Sequence, residues 1–374
     1  MSNRSWATIN LESLRHNLVV AQQRCPSAEL LPVVKANGYG HGLERVAKAI
    51  WHSKTPIRGL AVATLDEAKY LRDMDSYRPI VLLPGFINRE ELEECSSLKI
   101  EPVVHSFFQI ALLEAREEPC QFPSVWLKIT TGMNRLGVDE ENISKAFHDL
   151  KIAPSLEKVD LIFMSHLAWG DVDDDDACSF TINQRQRFAA AIDLLGHKGK
   201  CSLAASTGIL AHPDTHFNIV RPGVMLYGSS PFEHISCEEL GLRPVMTLRS
   251  RLIAINELKV GDAIGYGATY ICEKEMRVGV VSIGYGDGYP RSASTGTPVI
   301  LEGRDRFYRT ALIGRVSMDM ITIDLTDIDS AAVEDSVILW GDELPAEEVA
   351  AHAGTIAYEL FCQVTKRVNF VVSE

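Results

Sequence analysis

Eight short apolar segments, each followed by a stretch with helical character, recur between residue 29 and about residue 225. Strands that alternate with helices predict a parallel sheet. Eight such units within roughly 200 residues match the count and length of a (β/α)8 barrel. A doubly wound open sheet is the alternative, but no G-x-G-x-x-G sequence follows the first segment. The predicted strands are Leu30–Lys35, Leu60–Ala63, Pro79–Leu83, Glu101–Val104, Val125–Ile129, Val159–His166, Ser202–Ala205 and Ile219–Arg221.

The pattern changes near Pro244, where glycine-separated segments rich in β-branched residues begin to predict a β domain. Two short helices and a last strand over Arg367–Val372 end the chain. The predicted fold is therefore α/β, a TIM-type (β/α)8 barrel over residues 1–240 followed by a mostly-β C-terminal domain over residues 241–374. The boundary is placed in the polar stretch Ser229–Gly241. The main strands predicted in the second domain are Val245–Ile255, Met276–Ile283, Val299–Leu301, Ala311–Ile323 and Val337–Trp340.

Length and composition fit a globular protein of two domains. The 374 residues exceed the usual limit of one core, and a net charge of −13 without a basic block argues against a nucleic-acid surface. No stretch approaches ~18 consecutive apolar residues, and Met1–Trp6 is followed by no apolar segment, so neither a membrane span nor a secretory signal is predicted. The eight cysteines form no C-x-x-C pair, so we expect reduced thiols in a cytoplasmic protein and no metal site.

Four consecutive carboxylates, Asp173 to Asp176, form the most marked charge run. Such a cluster can bind a cation, but a solvated loop is the more common role of a charge run. We therefore expect a loop here, followed by a helix with Asn183 as its N-cap.

Reactive and ligand-binding side chains stand at the ends of the predicted strands. In such a barrel the catalytic groups lie at the C-terminal ends of the strands, so these side chains are expected on one face. A serine hydroxyl with the Gly223 and Val224 amides suits a phosphate, and a lysine near a phosphate suggests a Schiff base with pyridoxal phosphate. Other barrel enzymes with phosphorylated substrates would show the same features, so these residues alone support a phosphate-binding barrel enzyme. The strand-end residues are Lys35, Arg135, His166, Ser206 and Arg221.

Six segments resemble the alanine racemase family of fold-type III pyridoxal-phosphate enzymes, and they occur in that family's order. The lysine segment is shared with related enzymes, whereas Gly-Tyr-Gly-Ala-Thr and Ser-Met-Asp-Met are much more particular to this family. The resemblance covers nearly the whole chain. The segments are Val33-Val-Lys-Ala-Asn-Gly-Tyr-Gly-His-Gly42, Thr131-Gly-Met-Asn-Arg-Leu-Gly-Val138, Val220-Arg-Pro-Gly-Val-Met-Leu-Tyr-Gly228, Gly265-Tyr-Gly-Ala-Thr-Tyr270, Gly284-Tyr-Gly-Asp-Gly-Tyr-Pro-Arg291 and Gly314-Arg-Val-Ser-Met-Asp-Met320.

The resemblance implies a homodimer whose two active sites each use both subunits, with pyridoxal phosphate as cofactor and alanine as substrate. It also implies that the first strand, Trp6–Ile9, joins the C-terminal domain. Lys35 would hold the cofactor covalently, Arg221 would face its pyridine nitrogen, and hydroxyls and amides would bind its phosphate. The cofactor-binding residues implied by the resemblance are Lys35, Tyr39, His166, Ser206, Arg221, Gly223, Val224 and Tyr358.

Inversion of an α-carbon needs two acid–base groups, one on each face of the substrate. The resemblance assigns these roles to Lys35 and to Tyr266 of the partner subunit. Free tyrosine and lysine have pKa values of about 10 and about 10.4, so both pKa values must be lowered for activity near neutral pH. Arg135 would lie by the cofactor's phenolic oxygen and the substrate carboxylate. The Met318 amide, from the partner subunit, would bind the same carboxylate, and Asp319 would help to line the entrance.

Three further positions are compared with the family pattern. Lys128 matches a lysine that is carbamylated in some family members, where the carbamate positions the neighbouring arginine. Thr130 stands where the family often has Asp, and Ala205 stands where it often has Asn. Because Ala205 lacks the amide, a broad-specificity amino-acid racemase is the main alternative.

A fold-type III decarboxylase and a non-catalytic pyridoxal-phosphate carrier are two further alternatives. The decarboxylase should lack the tyrosine base, and the carrier is typically a single barrel, so the β domain and Tyr266 both count against it. The expected role is supply of D-alanine for a bacterial cell wall, or its catabolism.

Overall fold

The chain enters its fold through a strand and a helix that precede the barrel. The computed structural model describes residues 4–170, 175–304 and 306–374. Strand β1 (Ser5–Asn10) leads directly into helix α1 (Leu11–Arg24), whose N-cap Asn10 accepts a hydrogen bond from the Ser13 amide at 2.9 Å. Parallel strands follow, and those of the central part are buried along their whole length, as the apolar runs predict. They are β2 (Glu29–Leu30), β3 (Leu60–Val62), β4 (Ile80–Leu82), β5 (Glu101–Val104), β6 (Ser124–Lys128), β7 (Asp160–Met164), β8 (Cys201–Ser202) and β9 (Ile219–Val220).

These strands close into a barrel. Strands β3 to β8 pair in sequence order as one parallel sheet, and β2 pairs with β9 in parallel. Single bridges between Val33 and Ala61 and between Ala205 and Arg221 join the two sheets at both edges. The predicted (β/α)8 barrel is confirmed.

Helices follow the barrel strands, and several begin at a side-chain cap. The Thr64 hydroxyl accepts a hydrogen bond from the Glu67 amide at 3.2 Å, and the Asn88 side-chain oxygen Oδ1 accepts one from the Glu91 amide at 2.8 Å. Such caps satisfy amides that have no acceptor within the helix. The helices are α2 (Lys35–Tyr39), α3 (Leu43–Trp51), α4 (Leu65–Met74), α5 (Arg89–Ser97), α6 (Phe107–Glu114), α7 (Ile143–Ile152), α8 (Asp175–Leu194) and α9 (Ser206–Ala211).

The C-terminal part of the chain is mainly β, as predicted. Strand β1 pairs antiparallel with β10 and parallel with β18, so the N-terminal strand lies in this sheet. The sheet runs β15-β14-β17-β10-β1-β18, and β13 pairs with the second half of β10 and with β16. The elements are β10 (Met246–Leu258), β11 (Ala263–Ile264), β12 (Tyr270–Ile271), β13 (Met276–Val281), β14 (Pro298–Glu302), β15 (Phe307–Ala311), β16 (Ile321–Asp324), β17 (Ser336–Trp340), α10 (Ala346–Ala353), α11 (Ala357–Gln363) and β18 (Asn369–Ser373).

The segment Ala311–Ile323, predicted as one strand, is two strands joined by a turn. Strand β15 ends at Ala311 and β16 begins at Ile321. Ser317 closes the turn, because its amide and its hydroxyl both donate to the Met320 carbonyl, at 3.0 and 2.6 Å. The single-strand prediction is therefore wrong, and the Ser-Met-Asp-Met segment lies on a loop.

The helix predicted to begin at Asn183 begins earlier. Helix α8 starts at Asp175, so Asn183 lies within it and caps nothing. Asp175 and Asp176 occupy its first turn, where carboxylates favour a helix N-terminus. The other half of the predicted charged loop, Asp173 and Asp174, lies outside the described residues. None of the helices described is long and apolar enough to cross a membrane.

Candidate active site

Lys35 follows β2 at the C-terminal side of the barrel. Backbone hydrogen bonds continue the strand beyond its assigned end, from the Leu31 amide to Val220 and from the Val33 amide to Pro222, both at 2.9 Å. Lys35 itself opens the short turn α2 and does not end a strand as predicted. Its side chain is only partly exposed.

The turn after Lys35 is left-handed. Ala36, Asn37 and Tyr39 have φ values of 53°, 55° and 51°, a conformation that costs about 1–2 kcal/mol for each residue with a Cβ. Hydrogen bonds hold this turn: the Glu67 carboxylate accepts from the Asn37 amide at 3.0 Å, and the Asn37 side-chain oxygen accepts from the Leu43 amide at 2.9 Å. Lys35 and Tyr39 therefore lie on the same short loop.

Tyr39 is held by other aromatic side chains. Its buried ring stacks on Tyr227 with 4.6 Å between ring centroids and lies 6.0 Å from Tyr358 of α11. The Tyr227 hydroxyl donates to the Val33 carbonyl at 3.1 Å, and His41 Nδ1 donates to the Tyr39 carbonyl at 2.8 Å. Burial raises the pKa of Tyr39 above its usual range and that of Tyr358 to about 12. Both hydroxyls therefore remain protonated donors at neutral pH.

Ser206 and Gly223 form a small polar cradle beside Tyr39. The buried Ser206 hydroxyl, at the start of α9, accepts from the Gly223 amide at 3.0 Å and from the Met225 amide at 3.4 Å. A Cβ added to Gly223 would lie 2.9 Å from the Tyr39 hydroxyl and 3.7 Å from the Ser206 hydroxyl. Val224 begins a 3-10 turn, and an amide at that position has no acceptor within its own turn. Hydroxyls and amides that converge in this way suit a phosphate.

Arg221 and His166 form the wall next to this cradle. The buried Arg221 guanidinium donates to the carbonyls of Ser165 and Leu203, at 2.7 and 3.1 Å, and to the Ser202 hydroxyl. His166 Nδ1 lies 3.3 Å from Arg221 Nη2. Burial and the Arg221 charge together hold the pKa of His166 well below its usual value. His166 is therefore neutral, and its Nδ1 accepts from Arg221.

Burial and the positive charges at this site also lower the pKa values of Lys35 and Lys128. Burial, together with the charges of Arg221, Arg135 and Lys35, lowers the pKa of Lys128 to about 8. Burial and then Arg135 lower the pKa of Lys35. Within the described ranges no carboxylate forms an ion pair with any of these four cations. An anionic ligand is the partner that such a site lacks.

Tyr266, Met318 and Asp319 lie elsewhere, on the C-terminal domain. Tyr266 is 71% exposed and Met318 is 51% exposed. Asp319 accepts a hydrogen bond from Arg367 at 2.7 Å. No hydrogen bond, ring contact or ion pair in the described part of the chain joins these three residues to the residues at the barrel mouth. The single chain therefore brings together the barrel residues and Tyr358 but not this second group.

The sequence did not single out Tyr227, His41 or Gln184, although all three are buried next to the site. Tyr227 and His41 lie inside segments that carry the family resemblance, which is the signal that could have identified them. Gln184 lies in the middle of α8 and has no local sequence signal.

Comparison with known proteins gives one consistent result. Residues 9–231 match the family model described as the alanine racemase N-terminal domain, and residues 245–372 match that of the C-terminal domain. The chain is 47% identical to the alanine racemase of Nitrosococcus oceani, over 97% of both chains.

Solved structures agree with this assignment. The biosynthetic alanine racemase of Pseudomonas aeruginosa superposes with a TM-score of 0.91 at 38% identity and full coverage of both chains. The alanine racemase of Bartonella henselae, described with covalently bound pyridoxal phosphate, gives a TM-score of 0.85 at 28% identity over 99% of both chains. Since fold, matched domains and relatives agree over the full length, the chain belongs to the alanine racemase family, and the predicted resemblance is confirmed.

Proposed function

We propose that this protein interconverts L- and D-alanine with pyridoxal phosphate as cofactor, using Lys35 and Tyr266 of the partner subunit as its two proton-transferring groups. One observation carries the proposal. Lys35, with a lowered pKa, stands beside cations that have no carboxylate partner and a cradle of hydroxyls and amides. These are the features required to hold an anionic carbonyl cofactor on an amine.

The donors present fit the anionic groups of pyridoxal phosphate. The hydroxyls of Tyr39, Ser206 and Tyr358, with the amides of Gly223 and Val224, would bind the phosphate. Only a glycine at position 223 leaves open the space beside the Tyr39 hydroxyl that the phosphate would need. Its negative charge would also offset part of the uncompensated positive charge at the barrel mouth.

Arg221 and His166 would support the ring of the cofactor. Arg221 remains protonated, since burial lowers its pKa only to about 10, and it would face the pyridine nitrogen. A cation at this place keeps the pyridine nitrogen unprotonated. When bound, the cofactor draws electrons from the Cα–H bond of an attached amino acid and makes that proton acidic.

Lys35 and Arg135 would serve the substrate. Lys35 would hold the cofactor until the substrate amine takes the place of the lysine. The freed Lys35 amine would then take or return a proton on one face of Cα. The lowered pKa of Lys35 raises the fraction of neutral amine that can accept this proton. Arg135, which is exposed at the rim of the site, would bind the substrate carboxylate.

The second face of Cα needs a group that one chain does not bring to Lys35. Tyr266, Met318 and Met320 are 71%, 51% and 42% exposed on one face of the C-terminal domain. Tyr266 and Met320 there line a depression of about 380 Å³. Exposed apolar side chains grouped in this way mark a protein interface. In a homodimer, Tyr266 of the partner subunit would transfer the second proton, and the partner subunit's Met318 would present its amide to the substrate carboxylate.

Ala205 favours a second candidate, a racemase of broader specificity. It occupies the N-cap of α9, where its methyl group makes no side-chain hydrogen bond. A methyl group in place of a longer polar side chain leaves more room beside the site. Comparable kcat/KM values for alanine and serine would support this alternative, and a strong preference for alanine would exclude it.

The proposed reaction is tested by incubating the protein with pyridoxal phosphate and L-alanine in D2O. Proton NMR follows α-deuteration, chiral chromatography follows D-alanine, and Tyr266→Phe is the comparison variant. Deuterated D-alanine from the wild type, largely lost in the variant, is expected. Deuteration of L-alanine without inversion would mean that Tyr266 has been assigned the wrong role. Neither product, despite bound cofactor, would favour another amino-acid substrate or a non-catalytic carrier.

The shared site is tested by mixing two inactive proteins, Lys35→Ala and Tyr266→Phe, under conditions of subunit exchange. One site of each hybrid dimer then contains both wild-type residues, so partial recovery of activity is expected. Exchange verified by mass spectrometry without recovery would contradict a site built from two subunits.

A further inference from the structure

Gln184 is a buried polar residue that joins two loops of the barrel mouth. Its side chain, 1% exposed on α8, accepts a hydrogen bond from the Ala168 amide at 2.8 Å. Its Nε2 donates to the His166 carbonyl at 3.1 Å and to the Thr131 hydroxyl at 3.2 Å. These partners belong to the loop after β7, which carries His166, and to the loop after β6, which carries Arg135. All the hydrogen-bonding groups of this amide are thus used across two loops.

The donor and the acceptor of each hydrogen bond that leads from Gln184 to Ile129 can be assigned. The Ser165 hydroxyl donates its only hydrogen to the Ile129 carbonyl at 2.8 Å, so it must accept from Thr131 at 2.9 Å. Thr131 then has no hydrogen left for Gln184 and must accept from it. The result is a chain of hydrogen bonds in which Gln184 donates to Thr131, Thr131 to Ser165, and Ser165 to the Ile129 carbonyl. A carboxylate or an apolar side chain at position 184 has no N–H group to donate to Thr131.

Other residues on the same face of helix α8 also contact the loop that carries Arg135. A Cβ added to Gly132 would lie 3.1 Å from the Phe180 ring and 3.5 Å from Gln184 Cγ. One turn beyond Gln184, Arg187 donates to the Thr131 carbonyl at 3.1 Å. Phe180, Gln184 and Arg187 therefore lie on one helical stripe against the start of this loop.

The same loops carry the charged wall of the site. Arg221 donates to the Ser165 carbonyl at 2.7 Å and to His166 Nδ1 at 3.3 Å, so Gln184 and Arg221 both bind the Ser165–His166 segment. In the other loop, the Thr130 hydroxyl accepts from the Asn134 amide at 3.2 Å, and Asn134 has a left-handed φ of 53° immediately before Arg135. The position of Arg135 therefore depends on how this loop is anchored.

We propose that Gln184 is a positioning residue that fixes the Arg135 and His166 loops relative to each other and so sets the substrate-carboxylate site. The kinetic part of this inference rests on the proposed function, in which Arg135 binds that carboxylate. Gln184 touches neither the Ser206–Gly223 cradle nor Lys35 by any hydrogen bond within the described residues. His166 belongs to the cofactor wall but keeps its hydrogen bond from Arg221 when Gln184 is lost, so cofactor binding should weaken less than substrate binding.

The test compares Gln184→Met with Gln186→Met in the full-length protein. The two substitutions are identical and two residues apart on α8, but Gln186 is exposed. Hydrogen–deuterium exchange with mass spectrometry reports on residues 131–138, 165–169 and 206–209. Steady-state kinetics gives KM and kcat for L-alanine, and titration of the cofactor-free protein gives the Kd for pyridoxal phosphate.

For Gln184→Met we expect faster exchange in both loops and unchanged exchange at 206–209. KM should rise about tenfold, because Arg135 is no longer held in place, while the Kd for pyridoxal phosphate should rise several times less, because Lys35, the Ser206–Gly223 cradle and Arg221 keep their contacts. Gln186→Met should match the wild type in every measurement. If Gln184 had only a structural role, its loss would lower the melting temperature and would change KM and the Kd for pyridoxal phosphate by similar factors.

Unchanged exchange and KM in Gln184→Met, or equal effects in Gln186→Met, would overturn the inference. A wild-type protein that does not racemise alanine refutes the proposed function, and the exchange data then still decide whether Gln184 anchors the loops. If Gln184→Met does not fold, Thr131→Val breaks the same chain at its next member and should again raise exchange in both loops. Wild-type exchange in that folded variant would likewise refute the inference.

Discussion

Replacing Tyr39 with phenylalanine tests the proposed phosphate cradle with the loss of a single atom. The ring is retained, so its stacking on Tyr227 at 4.6 Å is preserved. The Tyr39 hydroxyl lies 2.9 Å from the place where a Gly223 side chain would begin, and no protein acceptor for it is found among the described residues. Its removal should therefore leave the stability of the protein nearly unchanged, within about 0.5 kcal/mol.

The affinity for pyridoxal phosphate should fall measurably. A hydrogen bond from a neutral hydroxyl to a charged acceptor contributes about 1.5–3 kcal/mol, which corresponds to about 10- to 150-fold in Kd. Since burial raises the pKa of Tyr39, the hydroxyl is a donor at every pH of interest, and the effect should not depend on pH between about 6 and 9. Titration of cofactor-free protein, followed by absorbance, measures this Kd.

Pyridoxal without its phosphate serves as the internal control. It can bind Lys35 but has no phosphate for Tyr39, so Tyr39→Phe should leave its Kd unchanged. Tyr227→Phe is the matched variant, because that hydroxyl donates to the Val33 carbonyl and should affect stability by about 1 kcal/mol but not the ratio of the two Kd values. A ratio of the pyridoxal and pyridoxal-phosphate Kd values that is the same in Tyr39→Phe and wild type would refute the assignment of Tyr39 to the phosphate.

Two further predictions concern stability. In CO2-free buffer, Lys128→Met should stabilise the cofactor-free protein by roughly 3 kcal/mol below about pH 8, where the wild-type amine is charged in both states but is unfavourably placed in the folded one. This gain should fade as the pH rises from about 8 towards about 10.4, where the unfolded chain also loses the proton. If thermal unfolding gives the same difference in stability between Lys128→Met and the wild type at pH 7 and at pH 10, the charge argument is contradicted. Ala36→Gly should stabilise the protein by about 0.5–1 kcal/mol, because glycine adopts the left-handed turn freely. The exposed helical Ala111→Gly is the control and should destabilise by about 1 kcal/mol, so a loss of stability in both variants, measured by denaturant unfolding, would argue against strain at Ala36.

The barrel was predictable because its strands are short apolar runs at regular spacing, each ending near a polar or charged residue. The same logic placed Arg221 and Ser206 near one another, since carboxyl ends of parallel strands meet at one edge. The Ser317 turn was missed because β-branched residues continue on both sides of it, and only the hydrogen bonds to Met320 reveal the break.

The finer structure of the site depends on contacts between residues far apart in sequence. The stack of Tyr39 on Tyr227 joins positions separated by most of the barrel, and Gln184 meets Thr131 across 53 residues. No local pattern encodes such pairs. The catalytic role of Tyr266 stays a prediction, because it depends on a second subunit and on the resemblance of Gly265-Tyr-Gly-Ala-Thr to the family.

Gly40 has a consequence for how the enzyme can move. A Cβ there would come within 2.0 Å of the Phe361 carbonyl, so the Lys35 loop of the barrel rests directly on the backbone of α11 in the C-terminal domain. The two domains are also connected twice, after β1 and before β10. Opening a hinge between them would pull Tyr358 away from Tyr39 and disturb the lysine turn. The two domains of the chain should therefore act as one body during turnover, and in the proposed homodimer alanine would enter and leave through side-chain movements or through small shifts between subunits.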